Sequence, residues 1–142
     1  MFKLKMIHDG VKVPTKAYDG DAGFDVYSHS PITTLGFGER FKFKLGFALE
    51  LPEGYVALIQ GKSGLASDHG IFTIGNVIDS TYRGECHAIL VCLNVASITI
   101  KPGQKVAQLL VLPCYTRTEY QIVDQLSDTT RGGGGFGSTG AI

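Results

Sequence analysis

Neither sign of charge is in excess along this chain: thirteen lysines and arginines balance thirteen acids. No basic run appears, so the sequence offers no electrostatic footprint for nucleic acid or for an anionic membrane. No apolar stretch approaches the roughly 20 residues of a membrane-spanning helix. The opening MFKLKMIHDG sets lysines among its apolar residues and lacks a small-residue cleavage site, so it is not expected to act as a secretion signal. Cysteine is scarce and odd in number, at Cys86, Cys92 and Cys114. That count without a secretion signal points to reduced thiols in the cytoplasm, or in the nucleus or an organelle of a host. There is no Cys-x-x-Cys, and His8, His29, His69 and His87 are far apart, so the ligand spacing of a zinc site is missing. All three cysteines are read as small, half-buried apolar side chains. Cys86 and Cys92, an even number of residues apart, would face the same way on one strand. Helical periodicity is nearly absent, and neither an internal repeat nor a domain linker is visible.

Strand signals are abundant. FKLKMI alternates from Phe2, and FKFKLGFALEL alternates from Phe41 to Leu51. Ala88–Val95 and Lys105–Leu112 are apolar enough for central strands. Pro52-Glu53-Gly54 and Pro102-Gly103 suit tight turns, the second a type II turn. Ile74-Gly75-Asn76-Val77 reads as a two-residue hairpin, because both turn residues tolerate positive φ. One short helix is expected around Ser63–His69. Many short strands with regular turns predict a single all-β domain, a sandwich or barrel. The composition changes only after about Asp128, which divides a barrel of residues 1–128 from a mobile glycine-rich tail, 129–142.

That tail, RGGGGFGSTG, matches the dinucleotide fingerprint on paper, but such a motif must follow a strand and open a helix. A P-loop needs lysine before its hydroxyl residue, and here Gly137 precedes Ser138. Two readings stay open. A linker-like terminus explains the glycines. A flap over a nucleotide also explains Arg131, which can fork onto phosphate, Phe136, which can stack on a base, and the hydroxyls of Ser138 and Thr139.

Four further clusters carry chemistry. Gly61-Lys62-Ser63-Gly64 follows a strand and opens the short helix, giving either an anion site or an ordinary turn capped by Ser63. Val77-Ile78-Asp79-Ser80-Thr81-Tyr82-Arg83-Gly84-Glu85 sets an acid between apolar residues, an aromatic and a base. It suits a substrate pocket, or else a surface ion pair from Asp79 or Glu85 to Arg83. Its Asp-Ser-Thr lacks the glycine of an aspartic protease. Asp25 would point away from Phe24 and Val26, toward solvent or a pocket, while Asp21 reads as a turn residue. Gln108 is a polar side chain inside an apolar strand, hence a network hub or a ligand contact.

In their order, AGFDVYS, GKSGLAS, GNVIDSTYRGE, GQKVAQL and RGGGGFGSTG resemble the five motifs of the homotrimeric dUTPase family (deoxyuridine triphosphate nucleotidohydrolases). The resemblance spans nearly the whole chain. It implies a jelly-roll-like β-barrel of the β-clip, dUTPase-like kind, and hydrolysis of dUTP to dUMP and pyrophosphate with magnesium. It further implies a homotrimer in which the tail of one chain closes a pocket formed by the other two. Carried over, it makes Asp79 the acid that holds the 3′-hydroxyl and orients the attacking water. Tyr82 would pack on the sugar, and the backbone around Gly75, Asn76, Val77 and Ile78 would read uracil, with His87 bordering that pocket. Lys62, Ser63 and Gly64 would meet the phosphates, with Gln108 in support. Asp25 would hold the metal through water. Arg131 would bind phosphate, Phe136 would cover the base, and Gly137 with Ser138 would meet the terminal phosphate. The family usually has arginine at Lys62, glycine at Asn76 and an acid at Thr81. Proteins of the same barrel that deaminate dCTP, some also hydrolysing the product, form the first alternative. A nucleotide-responsive regulatory binding protein forms the second.

Overall fold

A computed structural model describes residues 1–136. Eleven strands and one short helix follow in order among them: β1 (Lys3–Met6), β2 (Phe24–Tyr27), β3 (Thr33–Leu35), β4 (Arg40–Lys44), β5 (Phe47–Glu50), β6 (Tyr55–Gln60), α1 (Ser63–His69), β7 (Ile71–Ile74), β8 (Val77–Ile78), β9 (His87–Cys92), β10 (Ile98–Ile100) and β11 (Lys105–Pro113). All pairings are antiparallel. They form a sheet in the order β2-β11-β6-β8, a second in the order β4-β9-β7, and the pairs β1-β5 and β3-β10. The architecture is a jelly-roll-like β-sandwich, as the strand pattern predicts.

Alternation explains the core. Along β9, Ala88, Leu90 and Cys92 are fully buried while His87, Ile89 and Val91 are half-buried. From the larger sheet Val26, Ala57, Ile59, Ala107 and Leu109 join the same cluster, together with Phe43, Phe47 and Ile71. Phe43 has no exposed surface, and truncating such a ring to alanine costs about 3–5 kcal/mol. Both expected central strands, β9 and β11, do lie between two partners. Among the described residues no helix is long and apolar enough to cross a membrane.

Four expectations need correction. The run from Phe41 to Leu51 is not one strand: it breaks at Gly46, where φ is 76°. A side chain there would also collide with Val11. The segment after the break pairs with β1, and the segment before it pairs with β9. Gly75-Asn76 is not a hairpin turn within one ladder, because β7 pairs with β9 whereas β8 pairs with β6. It carries the chain from one sheet to the other, and only Gly75, with φ 58°, takes the left-handed conformation. Ser63 does not cap α1; the capping position is Lys62, in extended backbone and without a side-chain cap bond. Of the cysteines, Cys86 and Cys92 are buried but Cys114 is exposed.

The Pro102-Gly103 turn forms as expected, with Gly103 at φ 78° and Gln104 N–H donating to the Lys101 carbonyl at 3.2 Å. Asp21 likewise closes a turn, its carboxylate accepting from the Tyr18 N–H at 3.0 Å. Beyond Pro113, residues Cys114–Phe136 hold neither strand nor helix and are largely exposed, well before the compositional change at Asp128.

Candidate active site

Two groups of the sequence-selected residues come together, at opposite edges of the four-stranded sheet. The first surrounds Asp79. The strand β8 is pinned to β6, and Ile78 is only 8% exposed, so Asp79 leaves the sheet edge at a fixed point. Its carbonyl accepts from the Tyr82 N–H at 3.1 Å, which turns the chain back. The Tyr82 hydroxyl donates to the Glu85 carbonyl at 3.1 Å and lays the ring over Gly84. Any side chain at Gly84 would overlap that ring, which accounts for the glycine in Tyr-Arg-Gly-Glu. Gly75, Val77, Ile78, Asp79, Tyr82 and His87 share a cleft of about 290 Å³, with Lys42, Glu85, Cys86 and Ile89 completing its walls. His87 Nδ1 lies 2.8 Å from the Glu85 carbonyl.

Asp79 is exposed, and among the described residues its carboxylate has neither a hydrogen bond nor an ion pair. The expected alternative, an ion pair to Arg83, does not form. Arg83 instead donates to the carbonyls of Ser80 and Tyr82 at 2.6 and 3.0 Å. In the wall of the cleft, burial and then the Glu85 charge push the Cys86 thiol up to about 12, so it stays protonated and unreactive.

The second group surrounds Asp25, which is 8% exposed and is the one buried charged residue among those described. Gln108 stands opposite Asp25 on one side and opposite Gln60 on the other. Its amide donates to the Gly61 carbonyl at 2.8 Å and fixes the backbone that leads into Lys62. The bare face of Gly23 makes room for the Gln108 side chain. Lys62 binds Asp25 Oδ1, and Lys105 Nζ lies 2.7 Å from Oδ2. Burial pushes the Asp25 carboxyl up, but the hydrogen bonds and charges of Lys105 and Lys62 outweigh it and hold the acid below its ordinary value. Ser63 and Gly64 open α1, where first-turn N–H groups lack intrahelical acceptors. Sequence reasoning did not select Lys105, Glu85 or Lys42.

The two groups do not merge within one chain. Asp25 lies on β2 and Asp79 directly follows β8, three strand spacings or about 14 Å apart across the sheet. They are also offset along the strands: Asp25 is level with Gln60 of β6, and Asp79 lies beyond the Ala57–Ile78 pair. The Asp79 cleft includes none of Asp25, Lys62, Ser63 or Gln108. Arg131 makes no hydrogen bond or ion pair with either group among the described residues; its Nε donates to the Gly134 carbonyl at 2.9 Å. Phe136 is fully exposed, with φ 50°. Gly137 and Ser138 lie outside the described residues.

Among the described residues no group of three or more His, Cys, Asp or Glu side chains is arranged to hold a metal ion. A single carboxylate such as Asp25 suits magnesium, which keeps its waters and prefers phosphate oxygens to an all-protein cage.

The family model described as dUTPase matches residues 9–140. The deoxyuridine 5'-triphosphate nucleotidohydrolase of Anaeromyxobacter sp. (strain Fw109-5) is 40% identical over 132 residues, covering 92% of this chain and 88% of the relative. A solved mutant of the Staphylococcus bacteriophage 80alpha dUTPase with dUpNHpp superposes with a TM-score of 0.89 at 24% identity, covering 99% of both chains. A mutant dUTPase from phage phi11 of S. aureus, in which a structural Mg(II) ion is coordinated, gives 0.80 at 22% identity, covering 88% of this chain and 97% of its own. The two structures speak for the fold; the family match and the relative, each spanning most of the chain, place this protein in the dUTPase family.

Proposed function

We propose that the chain hydrolyses dUTP to dUMP and pyrophosphate, in a homotrimer whose active sites combine residues of different copies. The observation that carries this reading is the carboxylate of Asp79, unpartnered among the described residues, beside Tyr82 in an open cleft, with the cationic Asp25 group at the far edge of the same sheet. In one chain the nucleoside end and the phosphate end of a substrate have separate seats. A neighbouring copy joins one chain's Asp79 cleft to another's Asp25 group. The segment after β11 supports this, because Tyr115, Tyr120, Ile122 and Leu126 are 73–88% exposed and are left uncovered by the described residues.

In that assembly Asp79 accepts a hydrogen bond from a water molecule and aims it at the α-phosphorus, so positioning matters as much as proton transfer. Tyr82, braced on the Glu85 carbonyl, packs against the sugar and leaves no room for a 2′-hydroxyl. Backbone groups from Gly75 to Ile78 read the uracil edge, and a wrong base leaves a polar group unpaired. His87 borders the base. Lys62, Ser63 and Gly64 donate to the phosphates, with Gln108 holding the backbone beneath them. Magnesium, when bound, supplies charge neutralisation on the triphosphate. Asp25 is the side chain that would hold its waters. Arg131, Phe136, Gly137 and Ser138 belong to a C-terminal lid that excludes bulk water.

The test is pyrophosphate release measured across the common deoxynucleoside triphosphates, with and without magnesium, beside the molar mass in solution. Release from dUTP alone, by a trimer, is the expected result. Ammonia released from dCTP, or full activity from a monomer, would overturn it.

A further inference from the structure

The strand β11 has one irregularity, and it falls at the Asp25 group. Gln108 stands opposite Asp25 and Ala107 opposite Val26, but Lys105 rather than Val106 stands opposite Tyr27. Val106 is the extra residue of a β-bulge. Val106 and Ala107, neighbours in sequence, are both fully buried. In an unbroken pleat Lys105, an odd number of residues from Gln108, would point away from the face that Asp25 shares with Gln108. The bulge returns it to that face, where its ammonium group meets Oδ2 while Lys62 holds Oδ1. Two cations surround one anion, so the trio carries a net positive charge. The lysine side chains remain 28% and 49% exposed, for Lys62 and Lys105, against 11% for the acid between them.

We propose that Lys105 is a further nucleotide-binding cation: with Lys62 it over-compensates Asp25 and lets the site take up a triphosphate before a metal ion arrives. This rests on the functional reading above. Without Lys105 the site would present one cation cancelled by one anion to a ligand of several negative charges. With it, Lys62 can turn toward a phosphate while Asp25 keeps a partner. The charge matters most when no metal is present, because a bound metal ion also neutralises the phosphates.

The experiment is calorimetric binding of dUpNHpp, once with EDTA and once with excess magnesium, to four proteins: wild type, Lys105→Met, Asp25→Asn and the double variant. Local charge runs from +1 in wild type to 0, +2 and +1 in the variants, counting Lys62, Lys105 and Asp25. One charge at this range changes affinity about fivefold. In EDTA, Asp25→Asn should therefore bind tightest, Lys105→Met weakest, and the double variant should return to the wild-type value. With magnesium the loss in Lys105→Met should shrink, and Lys105→Arg should match wild type in both conditions. An equal loss with and without metal, or a double variant weaker than either single one, would overturn the inference by making Lys105 a structural residue. If wild type itself fails to bind in both conditions, the functional reading falls and takes the inference with it.

Discussion

The acids at the two edges of the four-stranded sheet are kept in opposite conditions. Asp25 is nearly buried, and each of its oxygens is held by a lysine. Asp79 is exposed at the rim of a cleft, and no side chain is paired with it among the described residues. The difference separates two duties of a carboxylate. A paired acid is fixed in place and its charge is cancelled, which suits organising phosphates and metal-bound water. An unpaired one keeps its lone pairs for a substrate hydroxyl or a water molecule.

Three substitutions and one truncation press on that contrast, in descending order of effect. Asp79→Asn should lower turnover by about a thousandfold, while dUpNHpp affinity and melting temperature stay near wild type. Turnover within tenfold of wild type would mean that the unpaired acid is not the reactive one. Deleting Arg131–Ile142 should lower turnover by about a hundredfold without changing the melting temperature, since Arg131 makes no hydrogen bond or ion pair with either acid among the described residues. Gly84→Val, which forces the Tyr82 ring aside, should cost about tenfold in kcat/KM. Discrimination against UTP should fall with it, and unchanged discrimination would release Tyr82 from contact with the sugar. Smallest is Asp25→Asn, which should cost about 1 kcal/mol of stability, because both lysines are partly solvated. Asp79→Asn should cost none.

The pH dependence of that last difference follows from the lowered Asp25 pKa. A carboxyl held below its unfolded value contributes stability above that value and loses it as pH falls through the folded one. Denaturant melts of wild type and Asp25→Asn should therefore differ at neutral pH and converge as the pH drops below 3.8 toward the lowered value.

Much of this was legible in the sequence wherever a local rule decides the outcome. The helix Ser63–His69, the Pro102-Gly103 turn and the central strands β9 and β11 all answer to turn chemistry or apolar runs. What alternation reports, however, is which way a side chain faces, not which strand lies beside it. The break at Gly46 and the crossing at Gly75-Asn76 both leave the apolar pattern intact while changing the partner strand. Lys105 was hidden for a sharper reason. It lies within Gly-Gln-Lys-Val-Ala-Gln-Leu, but counting by twos assigns it to the wrong face, and only the inserted Val106 brings it to Asp25. For Asp79 and Tyr82 the order of the motifs sufficed to select the residues. It did not reveal that Gly84 is empty so that an aromatic ring can occupy its space.

The unequal burial of the three thiols makes the protein a convenient substrate for optical labelling. A maleimide dye added to the native fold should couple at Cys114 and spare the two cysteines inside. That attachment point falls where the chain leaves its last strand, on the wall of a second groove that Asp79 also borders. Fluorescence from a dye placed there would test whether copies assemble over that segment as proposed, without any engineered cysteine.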